Sequence, residues 1–251
     1  MLQSNSLSTV SDNHLPGAQT FPLMPKVLIA RATLSELVGE LQYTSKMPGP
    51  SWSIDAIHCI TGQKLRAEVP TSPCAKCYAM KGNFCRGKVK DANRKRLHAW
   101  ATVPNWAEAM ASLIETSITF GDPFFRWFSS GDLQSVQMLR DIVQVCTLTP
   151  MIHHWLPTQE RGFVTEFLAL GGEFPVNLTL RVSASEIGGV TDPFLLSSVV
   201  SSRKLKRIWQ QRIQRESTFR YFCPSSQQDG VCGTCRACWD QRIKTIVYLE
   251  H

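Results

Sequence analysis

Eight of the nine cysteines in this sequence fall into two groups whose spacing suits a metal. The C-terminal group reads Cys223-x8-Cys232-x2-Cys235-x2-Cys238. A C-x-x-C turn lets two thiolates converge on one ion, because the tight bend points both side chains inward. Gly233 and Ala237 supply the small residues that such a knuckle needs. His251 is a candidate replacement ligand. The N-terminal group is looser: Cys59, then Cys74-Ala-Lys-Cys77, then Cys85. Thiolates are soft ligands and accept zinc or an iron–sulfur cluster. Zinc is the expectation for the C-terminal group. An iron–sulfur cluster on Cys59, Cys74 and Cys77, with Cys85 or a C-terminal thiol as fourth ligand, is open for the other. The ninth cysteine, Cys146, lies in an expected helix and reads as a core residue.

A second kind of chemistry is written into Phe124–Ser135, F-F-R-W-F-S-S-G-D-L-Q-S. An aromatic run with the stiffness of a buried strand breaks at Ser129-Ser130-Gly131, turns on Asp132 and enters an amphipathic helix. Parallel α/β folds present reactive side chains at the carboxyl ends of their strands. Asp132 is therefore either a catalytic carboxylate or a simple helix cap. The N-terminal cysteine spacing departs from the C-x3-C-x2-C of the common radical enzymes that use S-adenosylmethionine. No glycine-rich loop for a nucleotide is present.

These residues need a scaffold, and the hydrophobic pattern describes one. Phe124–Phe128, Met151–Leu156 and Val176–Ser183 read as strands, and helices follow the first two. The helix over Glu160–Leu170 is stopped by Gly171-Gly172. A strand at Val27–Ala30, a helix capped by Thr33 with Glu36, basic and apolar helices between Lys88 and Ile114, and strands at Phe219–Phe222 and Thr245–Leu249 complete the reading. Met47–Trp52 reads as a loop on its prolines and glycine. Repeated strand-then-helix units predict an α/β fold, a TIM-barrel-like repeat, reduced or irregular, with Cys-rich metal-binding insertions. The expected organisation is a disordered lead-in over 1–20 and one barrel-like domain over 21–251, with Cys-rich segments at 59–85 and 223–251. His153 and His154 are neighbours in a strand, so at most one of them can face a shared pocket.

Composition narrows the partners. No run approaches the ~20 apolar residues that span a bilayer, so no membrane partner is expected. The opening residues lack the pattern of a secretory signal, and a reducing cytoplasm is the expected location. Lys and Arg exceed Asp and Glu by 27 − 20 = 7, and the sequence pI is near 9.0. The excess gathers around Lys88, Lys90, Arg94, Lys95 and Arg96, and again around Arg203, Lys204, Lys206 and Arg207. Such segments suit a nucleic-acid backbone, DNA or RNA, or else are solvated helix faces.

The segments W-S-I-D-A-I-H-C, C-x-x-C-Y-A-x-K-G-x-F, S-G-D-x-x-S and C-P…C-G-x-C-x-x-C-W together resemble the mycobacteriophage gene-88 product family, from about Trp52 onward. That family looks similar in turn to DpdA-type transglycosylases, relatives of tRNA-guanine transglycosylase. The likeness rests on Ser129–Gln134 set against D-S-G-G-F-Q, and on the C-terminal cysteines and His251 set against a structural zinc site. It implies a phage enzyme, acting in an infected cell, that exchanges guanine in DNA for a small 7-deazaguanine base. A carboxylate would attack the sugar C1′ and a second acid would manage the proton on the base. Asp132 is the expected first acid, with Glu186 or Asp192 as the second. Ser130, Gly131, Gln134, Thr158 and Ser183 are the expected base contacts. The alternatives are an iron–sulfur enzyme built on the Cys59–Cys85 region and a non-catalytic, zinc-stapled nucleic-acid-binding protein.

Overall fold

The computed structural model describes residues 30–118, 122–189, 192, 194–202, 204–205, 207, 211 and 220–250. The elements are α1 (Arg31–Val38), β1 (Ser51–Trp52), α2 (Ile60–Glu68), α3 (Gly87–Thr102), α4 (Trp106–Ser117), β2 (Phe124–Trp127), α5 (Val136–Leu148), β3 (His153–Thr158), α6 (Arg161–Ala169), β4 (Leu178–Ser183), β5 (Ser197–Ser201), β6 (Arg220–Phe222) and β7 (Thr245–Leu249). Short 3-10 turns occupy the Cys-rich stretches, including Pro73–Lys76, Tyr78–Met80 and Pro224–Gln227.

All seven strands are parallel, in the order β1-β2-β3-β4-β5-β7-β6. Five consecutive strands step the same way across the sheet, as they do in a barrel. Right-handed crossovers then place the linking helices on one face. The TIM-barrel-like repeat, expected in a reduced or irregular form, is an open parallel sheet: β1 and β6 are its two edges and do not pair with each other. β1 is only two residues long.

The helical face carries the larger core. Phe125 and Trp127 of β2, His154 and Leu156 of β3, and Leu178, Leu180 and Val182 of β4 alternate onto it. They pack with Met110, Leu113 and Ile114 of α4 and with Met138, Leu139, Ile142 and Val145 of α5. α5 begins where Ser135 accepts a hydrogen bond from the Met138 backbone N–H (3.1 Å). Its cap is thus Ser135, which removes the reading of Asp132 as a helix cap. Cys146 is buried in this core, as expected, and His154 is buried beside Thr149 (2.8 Å) while His153 is exposed.

The opposite face, which would line a closed barrel, is covered by the C-terminal Cys-rich segment. Trp155, Ile246, Ala237, Cys238 and Trp239 form a second core there. At its centre is Arg181 of β4, fully buried and with no carboxylate bonded to it among the described residues. Its guanidinium donates instead to five backbone carbonyls: Ile243 (2.7 Å), Asp240 (2.7 Å), Cys238 (3.0 Å), Ala237 (3.3 Å) and Lys244 (3.5 Å).

Three expectations differ from the structure. The stretch read as a loop over Met47–Trp52 ends in β1, because Ser51-Trp52 pairs with Arg126-Trp127 despite the prolines before it. β5 went unread because Ser197-Ser198-Val199-Val200-Ser201 has little apolar bulk; the strand is recruited by pairing with β7 along its whole length. The helix expected from Thr33 starts at Arg31, with no side-chain cap. The strand expected at Val27–Ala30 and the lead-in over 1–20 lie outside the described residues, apart from Ala30.

Removing the Arg181 guanidinium leaves five carbonyls with one donor fewer each inside a dry face. Arg181→Met is expected to lower the free energy of unfolding by about 3–5 kcal/mol, read from urea titrations. Arg181→Lys keeps the charge but not the planar fork, and should recover only part of that loss.

Candidate active site at the carboxyl rim

The loops after β1 and β2 are zipped together at the carboxyl ends of the strands. Ser53 Oγ accepts from the Ser129 N–H (2.9 Å), the Ile54 N–H donates to the Ser130 carbonyl (3.2 Å), and Ser130 Oγ donates to the Ile54 carbonyl (2.7 Å). Gly131 sits against this seam at φ +80°, and a Cβ there would lie 2.2 Å from Ile54 Cγ1. Only glycine fits both the conformation and the gap. The chain is thereby turned so that Asp132 points inward.

Asp132 is buried, and both carboxylate oxygens are engaged. Oδ1 accepts from the Thr158 hydroxyl (2.6 Å) and the Leu133 N–H (2.8 Å); Oδ2 accepts from the Gln159 N–H (2.7 Å). The acid at the end of β2 is therefore clamped by the end of β3. Burial pushes its carboxyl up to about 7, against the pull of these three bonds, and the charge of Glu160 adds to the rise. Glu160 is the second buried acid of the rim, at 4% exposure. It accepts from the Thr61 N–H (2.7 Å) and the Thr61 hydroxyl (2.6 Å), at the N-terminus of α2, where the helix dipole favours an anion. The sequence pattern gives Glu160 only as the first residue of a helix over Glu160–Leu170, where an acid is ordinary. Its partner Thr61 lies 99 residues away.

The N-terminal thiols join this pair. Cys59 is the residue before α2; Cys74 lies in the Pro73–Lys76 turn and Cys77 ends it, its N–H closing onto the Cys74 carbonyl (3.3 Å). A Cβ built on Gly62 would lie 3.7 Å from each of the Cys59 and Cys74 sulfurs. It would also lie only 2.8 Å from Cys59 Cβ, so the close packing of α2 against Cys59 requires glycine there. Burial pushes the Cys59 thiol up strongly, and Asp132, Cys77, Cys74 and Glu160 raise it further. Burial raises Cys74 to about 11, with contributions from Cys77, Asp132 and Glu160 and an opposing hydrogen bond from Ser72. Cys85 is exposed and is not among the groups that act on either thiol. Among the described residues, no three His, Cys, Asp or Glu side chains are drawn together as a metal-holding set.

The segment that carries these thiols is fastened across the rim. Thr71 donates to Glu186 (2.7 Å) after β4, and Ile187 N–H donates to the Thr71 carbonyl (2.9 Å). Lys76 pairs with Glu250 after β7 (2.9 Å), and the Tyr78 hydroxyl donates to the Ser129 carbonyl after β2 (2.5 Å). Glu186 therefore anchors the thiol segment. Asp192 pairs with Arg161 and accepts from the Phe194 and Leu195 N–H groups (2.8 and 2.9 Å). Gln134 donates to the His58 carbonyl (3.0 Å) and the Asp132 carbonyl (2.8 Å), and Ser183 Oγ lies 3.0 Å from Ser198 Oγ.

The C-terminal thiols share the other core. Cys232 N–H donates to the Lys46 carbonyl (3.0 Å), and Cys235 N–H closes the first C-x-x-C turn onto the Cys232 carbonyl (3.0 Å). Burial pushes Cys238 up to about 12, and the charges of Cys223 and Cys232 add to this. Cys223, Cys232, Cys235 and Cys238 are thus one electrostatic neighbourhood. His251 lies outside the described residues, as do Arg203 and Lys206. Lys204 and Arg207 are exposed. On α3, Lys88, Arg94 and Lys95 are exposed and Lys90 is half-buried, whereas Arg96 is buried. Arg96 donates to the Glu40 carbonyl (2.6 Å) and to Asn93 (2.8 Å), so it fastens α3 to the end of α1 and is withdrawn from any nucleic acid.

A family model described as Gene product 88 matches residues 50–241, a span that holds β1 to Trp239 and both thiol groups. No curated protein and no solved structure matches the chain, so the further likeness to DpdA-type transglycosylases gains no support there. No helix among the described residues is long and apolar enough to cross a membrane.

The Asp132 carboxyl is raised to about 7 in the folded chain, whereas an aspartate in the unfolded chain titrates at about 3.9. The native state therefore holds the extra proton between about pH 4 and pH 7. The contribution of this group to stability is full below that window, falls as the pH rises through it, and is level above about pH 7. The fall is on the order of 4 kcal/mol for this group. Asp132→Asn loses the Gln159 bond but also this pH dependence. Urea unfolding at about pH 5 and pH 8 should show the gap between wild type and Asp132→Asn shrinking or reversing at the higher pH; an unchanged gap would refute the assignment.

Proposed function

This chain belongs to the gene product 88 family of phage proteins, and we propose that it is an enzyme whose reactive centre is an iron–sulfur cluster held by Cys59, Cys74 and Cys77. One observation carries this reading: the Cys59 and Cys74 sulfurs both lie against Gly62, and Cys77 and the buried acids Asp132 and Glu160 act on both thiols electrostatically, at the carboxyl rim of a parallel sheet. That rim is where open α/β sheets do their chemistry. Three thiolates from one segment suit a soft, thiophilic group. They also leave a coordination position open, as catalytic centres do and closed structural ones do not. Bound there, the cluster would supply one-electron chemistry or an open iron for a substrate oxygen or nitrogen. Asp132 would hold or release a proton close to neutral pH, and Glu160 would fix the start of α2, hence Cys59. The C-terminal set Cys223, Cys232, Cys235 and Cys238 reads as a zinc staple for the second core.

Base exchange on DNA or RNA is the second reading, favoured by the exposed Lys88, Arg94 and Lys95 of α3 and by the paired acids of the rim. In that reading a 7-deazaguanine base replaces guanine, and Glu160 joins Asp132 in place of Glu186 or Asp192. Asp132 has both oxygens occupied, which suits a positioning role better than attack at a sugar carbon.

Protein purified without oxygen should carry iron and sulfide and a broad band near ~400 nm. Cys59→Ser, Cys74→Ser and Cys77→Ser should each lose the band, and Cys85→Ser should keep it. About two zinc per chain with no visible band would remove the cluster reading. It would also turn attention to a base-exchange assay, in which Asp132→Asn and Glu160→Gln should lose turnover but keep DNA binding.

A further inference from the structure

We infer that the sheet face opposite the helices carries a binding site for an oxyanion, carboxylate or phosphate, at Arg126 and Trp155. Arg126 of β2 and Trp155 of β3 are partners in register, so their side chains stand side by side on that face. The guanidinium carbon lies 4.6 Å above the indole ring. Both residues hold a buried N–H donor without an acceptor: Nε of Arg126 and Nε1 of Trp155. Unpaired indole donors also occur at Trp52, Trp106 and Trp127, inside the apolar core. Among the described residues, only at Arg126 does an unpaired indole adjoin an unpaired cationic N–H.

The remaining contacts of Arg126 are weak or neutral. Nη1 faces Met47 Sδ (3.8 Å), and Nη2 donates to the Phe128 carbonyl (3.3 Å) and lies 3.5 Å from the Tyr78 hydroxyl. No carboxylate forms a salt bridge with it among the described residues. The group that would satisfy both donors at once is acceptor-only and negatively charged, which describes a carboxylate or a phosphate. It has a way in beside Tyr78, which is 43% exposed and follows Cys77 directly. The site would hold the anionic end of a ligand whose other end reaches the rim. It rests on its own geometry and stands whether or not Cys59, Cys74 and Cys77 hold a cluster. The one rival occupant on this face is the Cys232 thiol, which Arg126 influences electrostatically.

The test is an NMR titration of the full ¹⁵N-labelled chain, following the Trp155 indole and Arg126 Nε–H signals. The probes are inorganic phosphate and acetate, each against sodium chloride at equal ionic strength. Saturable movement of both signals with phosphate, acetate or both supports the site, and the tighter anion identifies its source. In Arg126→Gln the Trp155 response to the effective anion should weaken at least about tenfold. Trp155→Phe assigns the indole signal, so the wild-type titration decides the matter even if Arg126→Gln does not fold. No saturable movement, or the same movement with chloride, overturns the inference. Movement with zinc alone overturns it too, because Arg126 would then be the counter-ion of a Cys232 thiolate.

Discussion

A buried guanidinium bonded to no carboxylate among the described residues joins the parallel sheet to the segment that covers its open face. Taking the Arg181 charge out of water is costly, and the cost is offset only when each N–H finds an acceptor. Here the acceptors are carbonyls of Ala237, Cys238, Asp240, Ile243 and Lys244, which requires the chain from 237 to 244 to curl around one point. That curl sets Trp239, whose indole N–H donates to the Phe125 carbonyl (2.8 Å) and whose ring meets Trp155 edge-on. It also sets Cys238, within 3.1 Å of the Tyr248 hydroxyl. The C-terminal thiols are thus placed by the sheet before any metal is considered. A sheet with this strand order would ordinarily close to protect such a face; in this chain a cysteine-rich segment, pinned by one arginine, takes the place of closure.

The rim follows a similar logic with different chemistry. The Cys59–Cys85 segment has little apolar surface of its own, and its turns are too short to be stable alone. Its position comes from polar fastenings to the ends of β2, β4 and β7 through Tyr78, Thr71 and Lys76. Asp132 and Glu160 then face the thiols from the ends of β2 and β3. The grouping combines soft ligands, an acid that titrates near neutrality and an acid fixed on a helix terminus. Structural ion pairs do not need such an arrangement, since neither acid has a basic partner bonded to it among the described residues.

What could be read in the sequence was what depends on local pattern. The run from Phe124 to Ser183 shows its strands and helices by periodicity, and the thiol groups show themselves by spacing. The loop meaning of Ser129-Ser130-Gly131-Asp132 was legible too, because small residues after an aromatic strand have few other uses. β5 was not legible, since three serines among five residues have no hydrophobic signature and the strand exists through its pairing with β7. Nor was Glu160, whose role depends on Thr61 arriving from another part of the chain. Closure of the sheet was beyond any local pattern, because it is decided by whether the first and last strands meet.

Charge shows the same limit from another side. The excess of seven positive charges suggests a wide basic surface, yet several of the arginines work inside. Arg96 is buried, where desolvation lowers it to about 10, and it fastens α3 to the end of α1. Arg181 is consumed by carbonyls, and Arg126 is half-buried over an indole. A guanidinium holds its proton even when desolvated and spreads it over a planar fork, so it can tie together backbone segments that no acid reaches. In this chain that property substitutes for hydrophobic packing at two junctions where Cys-rich or loop segments must be fixed. The basic footprint left for a nucleic-acid partner on α3 is accordingly narrower than the composition implies, and is centred on Lys88, Arg94 and Lys95.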